Sequence, residues 1–111
     1  MKLLRPRKEI ERILPRIREI VEKIYGNRLI DVFLYGSFAR NRATKESDID
    51  IAVLLKGKVD KVKELDRLCD ALYDLELESG ELISVNPLSE EEIEDLEWPL
   101  HYHIKTDGIR I

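Results

Sequence analysis

The sequence predicts an α/β (α+β) fold, a mixed three- to four-stranded sheet flanked by helices. Two observations point there. Apolar residues recur at helical spacing over residues 7–25 and again after Asp60. Between and beyond them lie short apolar stretches of strand length bounded by glycines, at 29–35, 48–55 and 82–85. With 111 residues, 43% of them hydrophobic, the chain has the size of one domain, residues 1–111, with a core of its own.

In chain order, Ile10, Ile13, Leu14, Ile17, Ile20, Val21 and Ile24 make an amphipathic helix of residues 7–25. Pro6 suits its start and Gly26 its stop, while Pro15 inside the pattern either kinks the helix or divides it in two. Residues 29–35 read as a buried strand, ended by Gly36-Ser37 and followed by a short helical turn around Phe38–Arg40. The polar stretch 41–47 is a loop. Residues 48–55 form a second strand with acids at its entrance, closed by Gly57. Asp60 caps a second helix through about Asp74, with an apolar stripe of Val62, Leu65, Leu68, Cys69, Leu72 and Tyr73. The next segment admits two readings. Leu75 and Leu77 alternate with acids and could begin a hairpin turning at Ser79-Gly80, or the helix runs on to Glu78 and only residues 82–85 are extended. Ser89 followed by Glu92 is a capping-box pattern for a third helix, residues 90–97, ended by Pro99. Gly108 precedes a short edge strand over Ile109–Ile111.

The net charge is −4 and unevenly spread. Residues 1–28 carry nine Lys/Arg against four Asp/Glu, and residues 60–98 carry fourteen Asp/Glu against three Lys/Arg. An acidic body repels phosphate backbones, which argues against a direct nucleic-acid partner, and a basic start beside an acidic later half suits self-association or a charged protein partner, or simply two solvated faces. Cys69 is the only cysteine, so no internal disulfide forms. No stretch approaches the length needed to span a bilayer, and the basic start lacks an apolar signal core, so a cytoplasmic protein without a membrane partner is expected.

The segment that carries chemistry runs from Tyr35 to Val53. Strand side chains alternate, so Asp48 and Asp50 point the same way, with Cα atoms about 6.5–7 Å apart. Two carboxylates converging at a strand entrance are costly to bury without a cation. Mg²⁺ binds through one or two carboxylates and substrate phosphates, and a nucleoside triphosphate supplies the latter. Gly36 lets the backbone turn and approach a ligand closely, and the helical turn that follows offers free N–H groups to an anion. The Ser37 hydroxyl adds a donor, and Arg40 can reach a phosphate oxygen, with Arg42 and Lys45 in the loop beyond. Phosphate donors and metal ligands at neighbouring strand ends are what nucleotidyl transfer needs, since its catalysis is positioning plus charge neutralisation. Either motif alone is ordinary: a Gly-Ser after a strand is usually a turn, and an Asp-X-Asp is usually a solvated loop end.

Together they are more specific. Gly36-Ser37, ten residues, then Asp48-Ile49-Asp50 resembles the signature of the DNA polymerase beta-like nucleotidyltransferase superfamily. The form Gly-Ser-Phe-Ala-Arg followed by Ser-Asp-Ile-Asp-Ile is similar to the minimal, antitoxin-type members that pair with a small helical HEPN-domain toxin. The motif covers residues 36–50, and the element order fits the catalytic core over residues 8–86. The resemblance implies ATP as donor, Mg²⁺ as cofactor, and adenylyl transfer to a Tyr of the toxin, which silences it. It implies that Gly36 and Ser37 hold the triphosphate, beside the Arg40 already placed within reach of it, and that Asp48 and Asp50 are the metal ligands and catalytic residues.

One departure stands out. The superfamily usually supplies a third carboxylate from a later strand, and that position falls on Ser84, with Asp74, Glu76 and Glu81 as possible substitutes. Without one, the chain could bind nucleotide and neutralise its partner by binding alone. A small-molecule nucleotidyltransferase is a third reading, disfavoured because the chain looks too short for a separate acceptor-binding domain. His101 and His103 could share a metal, though tail packing suits them better without a third ligand. Cys69 reads as a core filler, Trp98 as a core edge or an interface anchor, and Tyr35 as lining the pocket or packing.

Overall fold

The computed structural model of the protein describes residues 3–111. A 3₁₀ turn at Arg7–Ile10 comes first and α1 follows at Ile13–Tyr25. Pro15 therefore divides the apolar run instead of kinking it. It sits in the first turn of α1, where its missing N–H has no helical partner to lose. Leu14, Ile17, Val21 and Tyr25 form the buried stripe of α1.

Strand β1 is Leu29–Tyr35, the four-residue α2 is Gly36–Ala39, and β2 is Ile49–Leu55. The two strands pair antiparallel with Tyr35 opposite Asp50. The helix α3 spans Lys61–Ser79, so the hairpin reading of residues 75–85 does not hold. Its N-cap Asp60 accepts a hydrogen bond from the Lys63 N–H at 3.2 Å. Its stop is Gly80, whose left-handed φ of 74° lets its N–H close on the Glu76 carbonyl at 2.9 Å. The crossover through α3 returns the chain as β3, Ile83–Ser89, parallel to β2.

The predicted helix over 90–97 shrinks to a 3₁₀ turn at Glu92–Glu94. The Ser89 hydroxyl does accept from the Glu92 N–H at 3.1 Å, but the cap carries a single turn. Pro99 does not end a helix. It opens α4, Pro99–Asp107, at the first position, which needs no N–H. Strand β4, Ile109–Arg110, pairs antiparallel with Phe33 and Leu34, giving the sheet order β3-β2-β1-β4. Asp31 anchors that edge, bound by Arg18 of α1 at 3.1 Å and Arg110 of β4 at 2.5 Å. The opposite margin is β3, where Pro87 stands beside Val53.

The sheet has two apolar faces. Ile49, Ile51, Val53 and Leu55 of β2 meet Val32, Leu34, Ile83 and Val85, and α1 and α3 cover them. Tyr35, Ala52 and Leu88 lie on the other face with Ile93 and Ile104 of the α4 side. Alternation puts Asp50 on this second face, in step with Ala52. The α3 stripe is narrower than its sequence suggests. Leu68, Leu72 and Leu75 are buried, while Val62, Leu65, Cys69 and Tyr73 are exposed. Cys69 is therefore not a core filler. Trp98 is 63% exposed and is not a core edge. No helix among the described residues is long and apolar enough to cross a membrane.

Candidate active site

The end of β1 and the start of β2 bring the two motifs into contact. Gly36 has a φ of 73°, open to glycine and strained for any other residue. A Cβ added there would lie 2.9 Å from Cγ of Asp50 and closer still to its Oδ2. The Asp50 carboxylate is thus seated directly on the Gly36 backbone, with no room for a side chain between them. Ser37 follows on the first turn of α2, half-buried, and Arg40 ends that turn on the surface. Asp48 lies exposed just before β2.

The electrostatics show that these groups act on one another. The Asp50 carboxyl is pushed up to about 6 by burial and by the negative Asp48 beside it, and Arg40 pulls the other way. So Asp48, Asp50 and Arg40 share one neighbourhood. Asp50 accepts no hydrogen bond from the described residues, which leaves its oxygens free for a ligand. No group of three or more His, Cys, Asp or Glu among the described residues could hold a metal alone. Two close carboxylates that repel each other fit a hard divalent cation whose remaining ligands are phosphate oxygens and water. That donor set suits Mg²⁺. His101 and His103 do not make a second site: the His101 Nδ1 meets the Asp95 carbonyl at 2.9 Å, and His103 faces Asp107.

The third-carboxylate question is settled by register. Ser84 pairs with Asp50 across β2 and β3, so the nearest position on the neighbouring strand carries a hydroxyl. Glu76 accepts from the Ile83 N–H at 2.9 Å, and Glu81 is held by Arg5 through two hydrogen bonds of 2.8 and 2.9 Å. Asp74 is exposed on α3, which covers the opposite face of the sheet. None of the three joins Asp48 and Asp50.

Asn86, Arg5 and Arg7, which the sequence did not single out, enter beside Tyr35, which it did. The Tyr35 hydroxyl reaches over Ala52 to accept from the Asn86 side chain at 2.5 Å. Burial raises the Tyr35 phenol, and the nearby Asp50 adds to the rise while the Asn86 bond opposes it. Tyr35 thus both packs and forms a polar floor beside Asp50. Arg7 donates to the Phe38 and Ala39 carbonyls at 3.2 and 2.9 Å, satisfying the end of α2. Arg5 stacks over Phe38 at 5.3 Å, and its N–H bonds the Ala43 carbonyl at 2.7 Å. Both arginines brace the segment between Gly36 and Asp48. Their only signal in the sequence was the basic bias of residues 1–28. Of the two loop cations, Arg42 donates its backbone N–H to the Ser37 carbonyl at 2.8 Å, and Lys45 lines a groove with Leu4, Arg5 and Thr44.

Comparison with known proteins bears on this geometry. The nucleotidyltransferase domain family profile matches residues 14–107. A candidate protein adenylyltransferase of Methanocaldococcus jannaschii is 34% identical over 96 residues, covering 83% of this chain and 90% of the relative. A solved candidate nucleotidyltransferase from Sulfolobus solfataricus aligns with TM-score 0.63 at 21% identity, over 93% of this chain and 82% of that one. A mutant MntA–HpeT toxin–antitoxin structure aligns with TM-score 0.60 at 19% identity, over 88% of this chain and 70% of that one. A toxin–antitoxin structure with AMP-PNP aligns with TM-score 0.59 at 18% identity, over 86% and 69% of the two chains. At such identities the structural likeness speaks to the fold.

Proposed function

Because the chain belongs to the nucleotidyltransferase domain family, we propose that it transfers AMP from Mg-ATP to a hydroxyl of a partner protein. The observation that carries this reading is the seating of the Asp50 carboxylate against the Gly36 backbone, which joins a phosphate-binding turn to a pair of acids. The Methanocaldococcus jannaschii relative, named for protein adenylyl transfer, supports a protein acceptor. The fold shared with the MntA–HpeT complexes supports a toxin partner, which we take to be a small helical HEPN-domain protein with a Tyr acceptor.

The backbone N–H groups of the α2 turn and the Ser37 hydroxyl bind the triphosphate, and Arg40 offsets its charge from the surface side. Asp48 and Asp50 would hold Mg²⁺, which when bound neutralises phosphate charge. The acceptor hydroxyl oxygen attacks the α-phosphorus, the bond from that phosphorus to the bridging oxygen breaks, and pyrophosphate leaves. Among the described residues no third carboxylate joins Asp48 and Asp50, so in this reading the hydroxyl proton passes to solvent. Rate enhancement then comes from alignment and charge compensation.

The test is incubation of the chain with its partner, Mg²⁺ and ATP labelled at the α or the γ phosphate. The α label should appear on the partner and the γ label should not. Failure of α-labelling, under conditions where a related adenylyltransferase labels its own partner, would refute the reading.

Ser84 opposite Asp50 favours a second reading, in which the chain binds nucleotide and silences the partner by binding alone. Replacing Asp48 and Asp50 together by Asn separates the two, since neutralisation that survives this change needs no transfer.

A further inference from the structure

The outer side of α3 carries an apolar ridge that the fold leaves uncovered. Val62, Leu65, Cys69, Tyr73 and Leu77 follow one another at helical spacing along it, and all five are exposed. Val62 is 82% and Leu77 65% exposed, values expected of charged side chains and not of a long apolar row. The row covers about 22 Å at helical rise. Past Gly80, Leu82 is 65% exposed, and its carbonyl accepts from the Ile49 N–H at 2.9 Å, between Asp48 and Asp50 in sequence. A few residues of chain therefore join the Leu77 end of the ridge to the backbone at the entrance of β2.

One step round the helix, Asp66, Asp70 and Asp74 form an acidic row at four-residue spacing. None makes an ion pair among the described residues, whereas Glu64 and Glu78 of the same helix do. Like charges four apart destabilise a helix, so the row costs folding stability, with no ion pair among the described residues to offset it.

The charge decides what can lie there. The ridge is nearly palindromic about Cys69, so an antiparallel second copy would set Val62 against Leu77 and Leu65 against Tyr73. In such a twofold pairing the same flank of each helix meets across the seam, and the two acidic rows would face each other. A second copy is disfavoured on that ground. An anionic membrane surface is disfavoured by the same charge. We propose that the ridge docks an amphipathic helix of the partner protein, with an apolar seam flanked by Lys or Arg, and so delivers the acceptor toward the entrance of β2 beside Leu82. This inference rests on the protein-acceptor reading above.

The test uses a synthetic helix about 18 residues long with a leucine seam and lysine flanks, and a twin with glutamate flanks. Because Cys69 is the only cysteine, its alkylation rate reports contact at the ridge in the unaltered protein. The lysine peptide should slow alkylation at least about tenfold and lose that effect at high salt, while the glutamate twin should not slow it. Tyr73→Lys with Leu77→Lys should abolish peptide binding measured by anisotropy. Reversal of the acidic row, Asp66→Lys, Asp70→Lys and Asp74→Lys, should switch preference to the glutamate twin. Equal protection by both peptides, binding that survives Tyr73→Lys with Leu77→Lys, or a wild-type dimer that buries Cys69 would overturn the proposal. ATP affinity measured on the same variants should not change, so docking can fail while the nucleotide reading stands, and the reverse.

Discussion

Two kinds of shielded carboxylate occur in this molecule, and the difference between them separates scaffold from site. Glu64 is buried on α3, yet it accepts from Tyr25 at 3.1 Å, Arg28 at 3.0 Å and Arg67 at 3.2 Å. Burial alone would raise its carboxyl, but those bonds and charges hold it below its ordinary value. Asp31, also buried, is likewise surrounded by partners: Arg18, Arg110 and the Val32 N–H. Asp50, half-buried, has Asp48 for a neighbour and is pushed up to about 6. Where the fold uses an acid for cohesion it surrounds the charge with donors. Where it leaves an acid without hydrogen-bond donors, as at Asp50, the site is open to the metal and phosphate proposed above.

The sharpest way to break this contrast is Asp50→Asn. Transfer should fall by about 10²–10³-fold, read as α label on the partner, while the thermal midpoint holds or rises. A loss of folding equal to the loss of activity would make Asp50 a structural acid. Glu64→Ala should do the opposite. It leaves Tyr25 and two arginines without their acceptor and should cost about 3 kcal/mol in urea unfolding, discounted for the partly solvated arginines. The ATP affinity of the folded fraction should stay at its original value. Smaller still is Gly36→Ala, which forces a left-handed alanine against the Asp50 carboxylate. About 1–2 kcal/mol of stability should go, and nucleotide affinity measured by calorimetry should fall with it.

The subtlest prediction concerns protons. The folded value of Asp50 lies above its unfolded 3.8, so its contribution to stability is complete below about 3.8 and is lost as pH rises through about 6. Glu64 has a folded value below its unfolded 4.5, so its contribution is present above 4.5 and is lost as pH falls through the folded value. Carboxyl NMR titration should find the two on opposite sides of the ordinary range. In Asp48→Asn the Asp50 midpoint should move down, because one of its two raising causes is gone. An unmoved midpoint would mean that the pair does not interact.

Much of this was legible in the sequence because local rules and burial agreed. Residues 29–35 were bounded by glycines and became β1 without change, and the spacing between Ser37 and Asp48 marked two motifs that the fold does bring together at Gly36 and Asp50. Elsewhere the local signal was double-valued. Leu75 and Leu77 among acids satisfy a strand period as well as a helical one, and the left-handed Gly80 decided for helix. Pro99 can close one helix or open another, and only the packing of α4 chose. The apolar arc of α3 was wider than the surface it had to cover, so Cys69 and Tyr73 were placed inside when they belong outside. Tyr35 and Asn86 are 51 positions apart, and their meeting depends on the β2–β3 register, which no local pattern reveals.

The two margins of the sheet have a consequence of their own. β4 contributes only two residues, and Pro87 on β3 has no N–H to offer an incoming strand. Neither border provides a long ladder on which another chain could crystallise into fibrils. Concentrated solutions of this protein should resist amyloid-type growth, and its assemblies are steered toward contacts made by side chains on helices instead of backbone on sheet rims.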